Sequence, residues 1–178
     1  MTDKLSISGD GDDWNVFSKT AQSGTMLLFR SRTRSPAVQA FANANQMMRL
    51  RCVLREDQVG EGGMPKSTKD LDEYEDRLLG KLQEANAEVY LIAVVTGEGN
   101  RDLFFTARDL DDLRAGIKAA QTDIDTFKLQ IAPIGDPPAF LKMLTLSVEQ
   151  EQAAIAGGRV HEVPAGRSGG LLGKLFGR

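Results

Sequence analysis

QMMRLRCVLREDQVGEGGMPKSTKDLDEYEDRLLGKLQEANAEVYLIAVVTGEGNRDLFFTARDLDDLRAGIKAAQTDIDTFKLQIAP occupies residues 46–133 and reads as strand, helix, strand, tight turn, strand, helix, strand. From Gln46 to Arg55, Met48, Leu50, Cys52 and Leu54 point one way and Arg49, Arg51 and Arg55 the other, as a strand with one wet face requires. Glycines at 60, 62 and 63 and Pro65 end that run, and Ser67 with Asp70 resembles a capping box for a helix to about Ala85. Leu71, Tyr74, Leu78 and Leu82 recur at steps of three and four, so this helix buries one stripe. Glu88 to Thr96 is nearly all apolar, as an interior strand is; Gly97 to Asn100 turns the chain and Asp102 to Ala107 returns it. Asp109 caps a second helix with Leu110, Leu113, Ile117 and Ala120 on one face, and Thr126 to Ala132 closes the unit with Phe127, Leu129 and Ile131 inward.

Burying both helical stripes together is simplest if the helices share one side of an antiparallel sheet. The expected fold is therefore α+β, with a ferredoxin-like β-α-β-β-α-β core. Outside it, Trp14–Thr20 and Thr25–Thr33 read as an N-terminal β-hairpin, and Ser35-Pro36 opens a short helix to Ala44. Phe140 to Ile155 suggests one or two short C-terminal helices. Residues 1–13 read as a flexible leader, 14–156 as a single domain, and 157–178, with seven glycines, as a flexible tail.

At 178 residues, with 22 basic and 25 acidic side chains and 41% hydrophobic content, the chain has the composition of an ordinary globular domain whose net charge names no partner. Cys52 is the only cysteine, which fits a reducing cytoplasm; no segment has the length and apolarity of a signal peptide or membrane span. The charge is nevertheless segregated. Between Trp14 and Arg55 there is no acid, while Arg30, Arg32, Arg34, Arg49, Arg51 and Arg55 are expected to gather on a helix-free sheet face. Such a face suits an acidic protein surface or a polyanion, because guanidinium forks bind carboxylate and phosphate bidentately. A solvated face neutralised by carboxylates elsewhere is the plainer alternative. The arginine parity carries no aromatics for base stacking, so RNA ranks below protein.

No catalytic, metal or cofactor motif is expected. His161 stands alone, and Cys52 falls on the inward parity of its strand, where thiols are inert. Gly97 and Gly99 lie between two strands with no following helix to cradle phosphate. Glu73, Glu75 and Asp76 splay around the solvated side of their helix.

Gly63-Met64-Pro65, Glu75-Asp76, Thr96-Gly97-Glu98-Gly99-Asn100-Arg101, Phe104-Phe105 and Asp136-Pro137 follow one another in an order and spacing that resemble the bacterial domain of unknown function 695, from about Trp14 to Leu146. Pro138-Ala139-Phe140 departs from the tryptophan that the family tends to carry there. The resemblance implies an interaction role rather than a chemistry, and marks Glu75, Asp76, Arg101 and Asp136 as a candidate polar site. Leu171, Leu172, Leu175 and Phe176 alternate with Lys174 and Arg178 as a short amphipathic docking motif for a partner or, weakly, a membrane surface. The expected role is a non-catalytic binding or regulatory module in the cytoplasm, with a protein partner. A hydrolase or small-ligand domain built on the polar site is the rival, and RNA or polyanion binding comes third.

Overall fold

The computed structural model describes residues 14–21, 23–33, 35–121 and 125–156. The expected leader, Arg34, His161 and the tail motif at Leu171, Leu172, Leu175 and Phe176 lie outside the described residues. In chain order the elements are β1 Asn15–Thr20, β2 Met26–Ser31, α1 Pro36–Ala44, β3 Gln46–Leu54, α2 Lys69–Glu84, β4 Val89–Gly97, β5 Asn100–Ala107, α3 Leu110–Ala120, β6 Phe127–Pro133 and α4 Pro137–Ala156. The molecule is α+β. Six strands form one sheet in the order β1-β2-β4-β5-β3-β6, every neighbour antiparallel. The C-terminal region is one helix of 20 residues rather than two short ones.

α2 and α3 lie over one side of this sheet. The stripe Leu71, Tyr74, Leu78 and Leu82 is buried with Leu113, Ile117 and Ala120 against Leu50, Cys52, Leu103 and Phe105. Gly116 makes the helix pair close: a Cβ there would sit 2.5 Å from Leu82 Cδ2. Asp109 caps α3 as expected, accepting from Asp111 N at 2.8 Å. The Ser67–Asp70 capping box does not form. Thr68 is the N-cap residue, its hydroxyl donates to Asp72, and Asp70 instead accepts from the Thr126 hydroxyl.

The opposite side is not bare. Val38 and Ala42 of α1 and Leu141 and Leu144 of α4 form a second core with Met47, Ile92, Ala93 and Phe104. A β-bulge between Leu91 and Ala93 lets β4 present Ile92 and Ala93 in succession to this second core, while Leu91 and Val94 serve the first. The near-continuous apolarity of β4 thus reflects helices on both faces.

This second layer also overturns the single arginine face. Arg30 pairs with Val94 of the first core and lies on the α2 side, whereas Arg49 pairs with Phe104 of the second core and lies on the other. Residue parity is preserved within each strand, but strands joined through helices and bulges carry their parities to opposite faces.

Candidate functional site

The tight turn joining β4 to β5 is a two-residue turn with both central residues at positive φ, Glu98 at 52° and Gly99 at 73°. Gly97 precedes it at φ 152°, pressed so closely on β2 that a Cβ would fall 2.6 Å from Met26 O. The turn is gripped from two sides. Gly99 N donates to Gly63 O at 2.7 Å, and the Ser23 and Thr25 hydroxyls donate to Glu98 Oε1 at 2.8 and 3.1 Å. The Gly-x-Pro and Thr-Gly-x-Gly-x-Arg segments, 30 residues and a helix apart, are therefore one physical unit. Beside them opens a depression of about 540 Å3 lined by Val53, Leu54, Val59, Asn100, Glu56 and Glu98.

Arg101, the last residue of that second segment, turns inward beneath α2. Its side chain is 1% exposed; Nε donates to Thr96 Oγ1 at 3.2 Å, and Nη1 to Asp72 Oδ1 at 2.7 Å and Glu75 Oε2 at 3.5 Å. Glu75, 7% exposed, accepts through its other oxygen from Arg30 Nη2, so one carboxylate bridges guanidiniums from β2 and β5. Two cations face two anions, as a buried charged cluster must if its desolvation is to be offset. Arg101 Nη2 and the Tyr74 hydroxyl are buried with no hydrogen-bond partner among the described residues. Cys52 sits directly across from Arg101 on β3, and burial pushes its thiol up to about 12.

The polar site expected from sequence is thus partly assembled. Glu75 and Arg101 meet, while Asp76 makes no bond to Arg101; partial burial, and then the Glu75 and Asp72 carboxylates, lift its pKa. Asp136 is elsewhere. It caps α4 through Ala139 N at 3.0 Å, beyond the end of β6 where Pro133 pairs with Met48, whereas Arg101 lies across from Cys52. Glu75 is also not the surface charge the helix pattern implied. Its link to Arg30 was missed because nothing in the sequence places β2 next to β4, and the bonds of Asp72 and Thr96 to Arg101 because periodicity does not say what an off-stripe residue meets; the one available signal was Asp72 at i−3 from Glu75, flanking the apolar stripe. Among the described residues no group of three or more His, Cys, Asp or Glu is arranged to hold a metal ion, and no helix is long and apolar enough to cross a membrane.

The family described as "Family of unknown function (DUF695)" matches the chain over residues 12–137. The chain belongs to the DUF695 family. No curated protein and no solved structure matches it. Every residue of the gripped turn and of the Arg101 cluster falls within this DUF695 span, and Asp136 and Pro137 stand at its end.

The remaining arginines of the DUF695 chain have separate fates. Arg30 and Arg32 flank Trp14, their guanidinium carbons 5.4 and 5.9 Å from its ring centre, and Arg32 is 1% exposed. Arg55 pairs with Asp57 and Asp125 at the surface. Arg51 forms a bidentate pair with Asp102, both bonds 2.7 Å, and that bond holds its pKa above the usual arginine value. Arg49 and Lys128 have no carboxylate within ion-pair distance among the described residues. With Arg51, Val53, Gln130 and Ala132 they form a half-exposed strip on the α1/α4 side of β3 and β6. The helices on that side pack instead against β4, β5 and the first residues of β3.

Proposed function

We propose that this DUF695 chain is a non-catalytic binding or regulatory module that contacts an acidic protein surface through the β3/β6 strip. The observation that carries the reading is the pairing pattern. Arg30, Arg51, Arg55 and Arg101 are engaged by carboxylates of their own chain, while Arg49 and Lys128, one strand apart on the same face, meet none among the described residues. Two cations without a carboxylate partner among the described residues, on a sheet surface that also carries Val53 and Ala132, provide a steering charge and contact area for a partner. The buried Arg101 cluster serves as the brace that holds α2 and β5 beneath the gripped turn. The reading includes a bacterial cytoplasmic setting, which a single, buried cysteine fits.

We also propose that β3-α2-β4-β5-α3-β6 is a ferredoxin-like core widened by the β1/β2 hairpin. In support, these four strands run β4-β5-β3-β6 with α2 and α3 together on one face.

Affinity capture from the native cell, comparing the wild type with the Arg49→Glu, Lys128→Glu double variant, tests the binding role. The charge-reversed protein should lose at least one partner held by the wild type, and added salt should release the same partner. Retention of every partner by the double variant would remove the strip from consideration.

A further inference from the structure

We infer that β6 is a dimerisation edge, on which a second copy of this chain pairs antiparallel about a two-fold axis at Leu129. β6 is the last strand of the sheet on its side. Its hydrogen-bonding phase is fixed by the bonds at either end of its pairing with β3: Arg55 N donates to Thr126 O at 3.2 Å and Ile134 N to Met47 O at 3.0 Å. Both pairs belong to the register that sets Arg51 against Gln130, so Lys128, Gln130 and Ala132 turn their backbone groups toward β3. Phe127, Leu129 and Ile131 therefore turn theirs outward, a row of donors and acceptors without a strand partner among the described residues.

The strand is self-complementary under that axis. Leu129 meets its own copy and Ile131 lies opposite Phe127, so the apolar positions face one another, and Lys128 lies opposite Gln130 rather than another lysine. Ile131 is 46% exposed, a large apolar side chain at the rim that a second copy would cover. Pro133 has no N–H to offer, and pairing centred on Leu129 is the arrangement that uses all three outward N–H groups while leaving the proline beyond it. The paired edges would join two sheets into one and bring two β3/β6 strips side by side. Their like charge opposes the contact, so salt should tighten the dimer. This inference does not rest on the proposed protein partner, and either can fail alone.

Sedimentation equilibrium of the full chain is the test, with hydrogen exchange at the Phe127, Leu129 and Ile131 amides read on the same samples. The wild type should sediment at twice its 19.4 kDa mass and protect those amides, both effects fading on dilution. Ile131→Pro deletes an outward N–H and leaves the β3 ladder intact, so it should sediment as a monomer. If that variant fails to fold, the amide protection of the wild type, lost in step with dilution, remains decisive. A wild-type monomer at all concentrations, or a dimer with these amides unprotected, would overturn the inference. Protection that is independent of concentration and lost on removal of residues 157–178 would do so too, by giving the edge to the chain's own C-terminal segment.

Discussion

Tyr74 puts a phenol hydroxyl at a fully buried position with no partner among the described residues and the Phe127 ring edge-on at 5.6 Å. An unmade buried hydrogen bond costs more than a missing hydroxyl. Tyr74→Phe should therefore leave stability unchanged or raise it by about 1 kcal/mol in chemical denaturation, and a comparable loss would show that the hydroxyl has a partner. Cys52 gives a second prediction. Its folded pKa is raised to about 12 by burial, against about 8.5 in an unfolded chain. The folded state holds the thiol proton more tightly, so this contribution to stability is complete below the unfolded value and is lost as pH rises toward the folded one. The slope is about 1.4 kcal/mol per pH unit. Cys52→Ala should flatten the alkaline decline by that amount, and the native thiol should resist alkylation at pH 8 until denaturant is added. The burial of Cys52 was legible from strand parity. The lonely Tyr74 hydroxyl was not, because parity says which side a group faces and nothing about what waits there.

Among elements, α2 is the best-forecast and the most misjudged. Its apolar stripe was legible because a period near 3.6 survives any tertiary context. Its acidic flank was not, since burial of Glu75 depends on Arg30 arriving from β2 and Arg101 from β5. Glu75→Ala should cost up to roughly 3 kcal/mol, because it leaves Arg101 with Asp72 as its one carboxylate and Arg30 with none among the described residues. Adding Arg101→Met should recover part of that loss. A double variant as unstable as the sum of the two single variants would show that the residues are not coupled. By contrast Lys69→Ala, which removes an exposed pair with Glu73 at 3.8 Å, should change stability by well under about 1 kcal/mol. α4 was harder to foresee. It buries Leu141 and Leu144 yet leaves Met143 and Leu146 55% and 46% exposed, so no single stripe marked the face on which it packs.

At the scale of the molecule, the succession of strands and helices was legible and their layering was not. A sequence read in order supplies neighbours along the chain, and the hairpin β1/β2 joins the sheet at β4 across more than sixty intervening residues. Once that placement and the bulge between Leu91 and Ala93 are known, the division of the arginines follows from parity. The gripped turn ties together segments far apart in the chain, and Gly97→Ala should register there. Its Cβ would collide with backbone of β2, so the variant should lose roughly 2 to 3 kcal/mol or more, read as a lower urea midpoint. An unchanged midpoint would mean that the hairpin can slide on β4.

The same grip has a consequence for the natural history of these chains. Ser23, Thr25, Gly63 and Glu98 are scattered along the sequence but hydrogen-bond to one small knot of chain, so mutations there are not free to accumulate one at a time. In related sequences the acid at position 98 and the hydroxyls at 23 and 25 should be inherited or abandoned together.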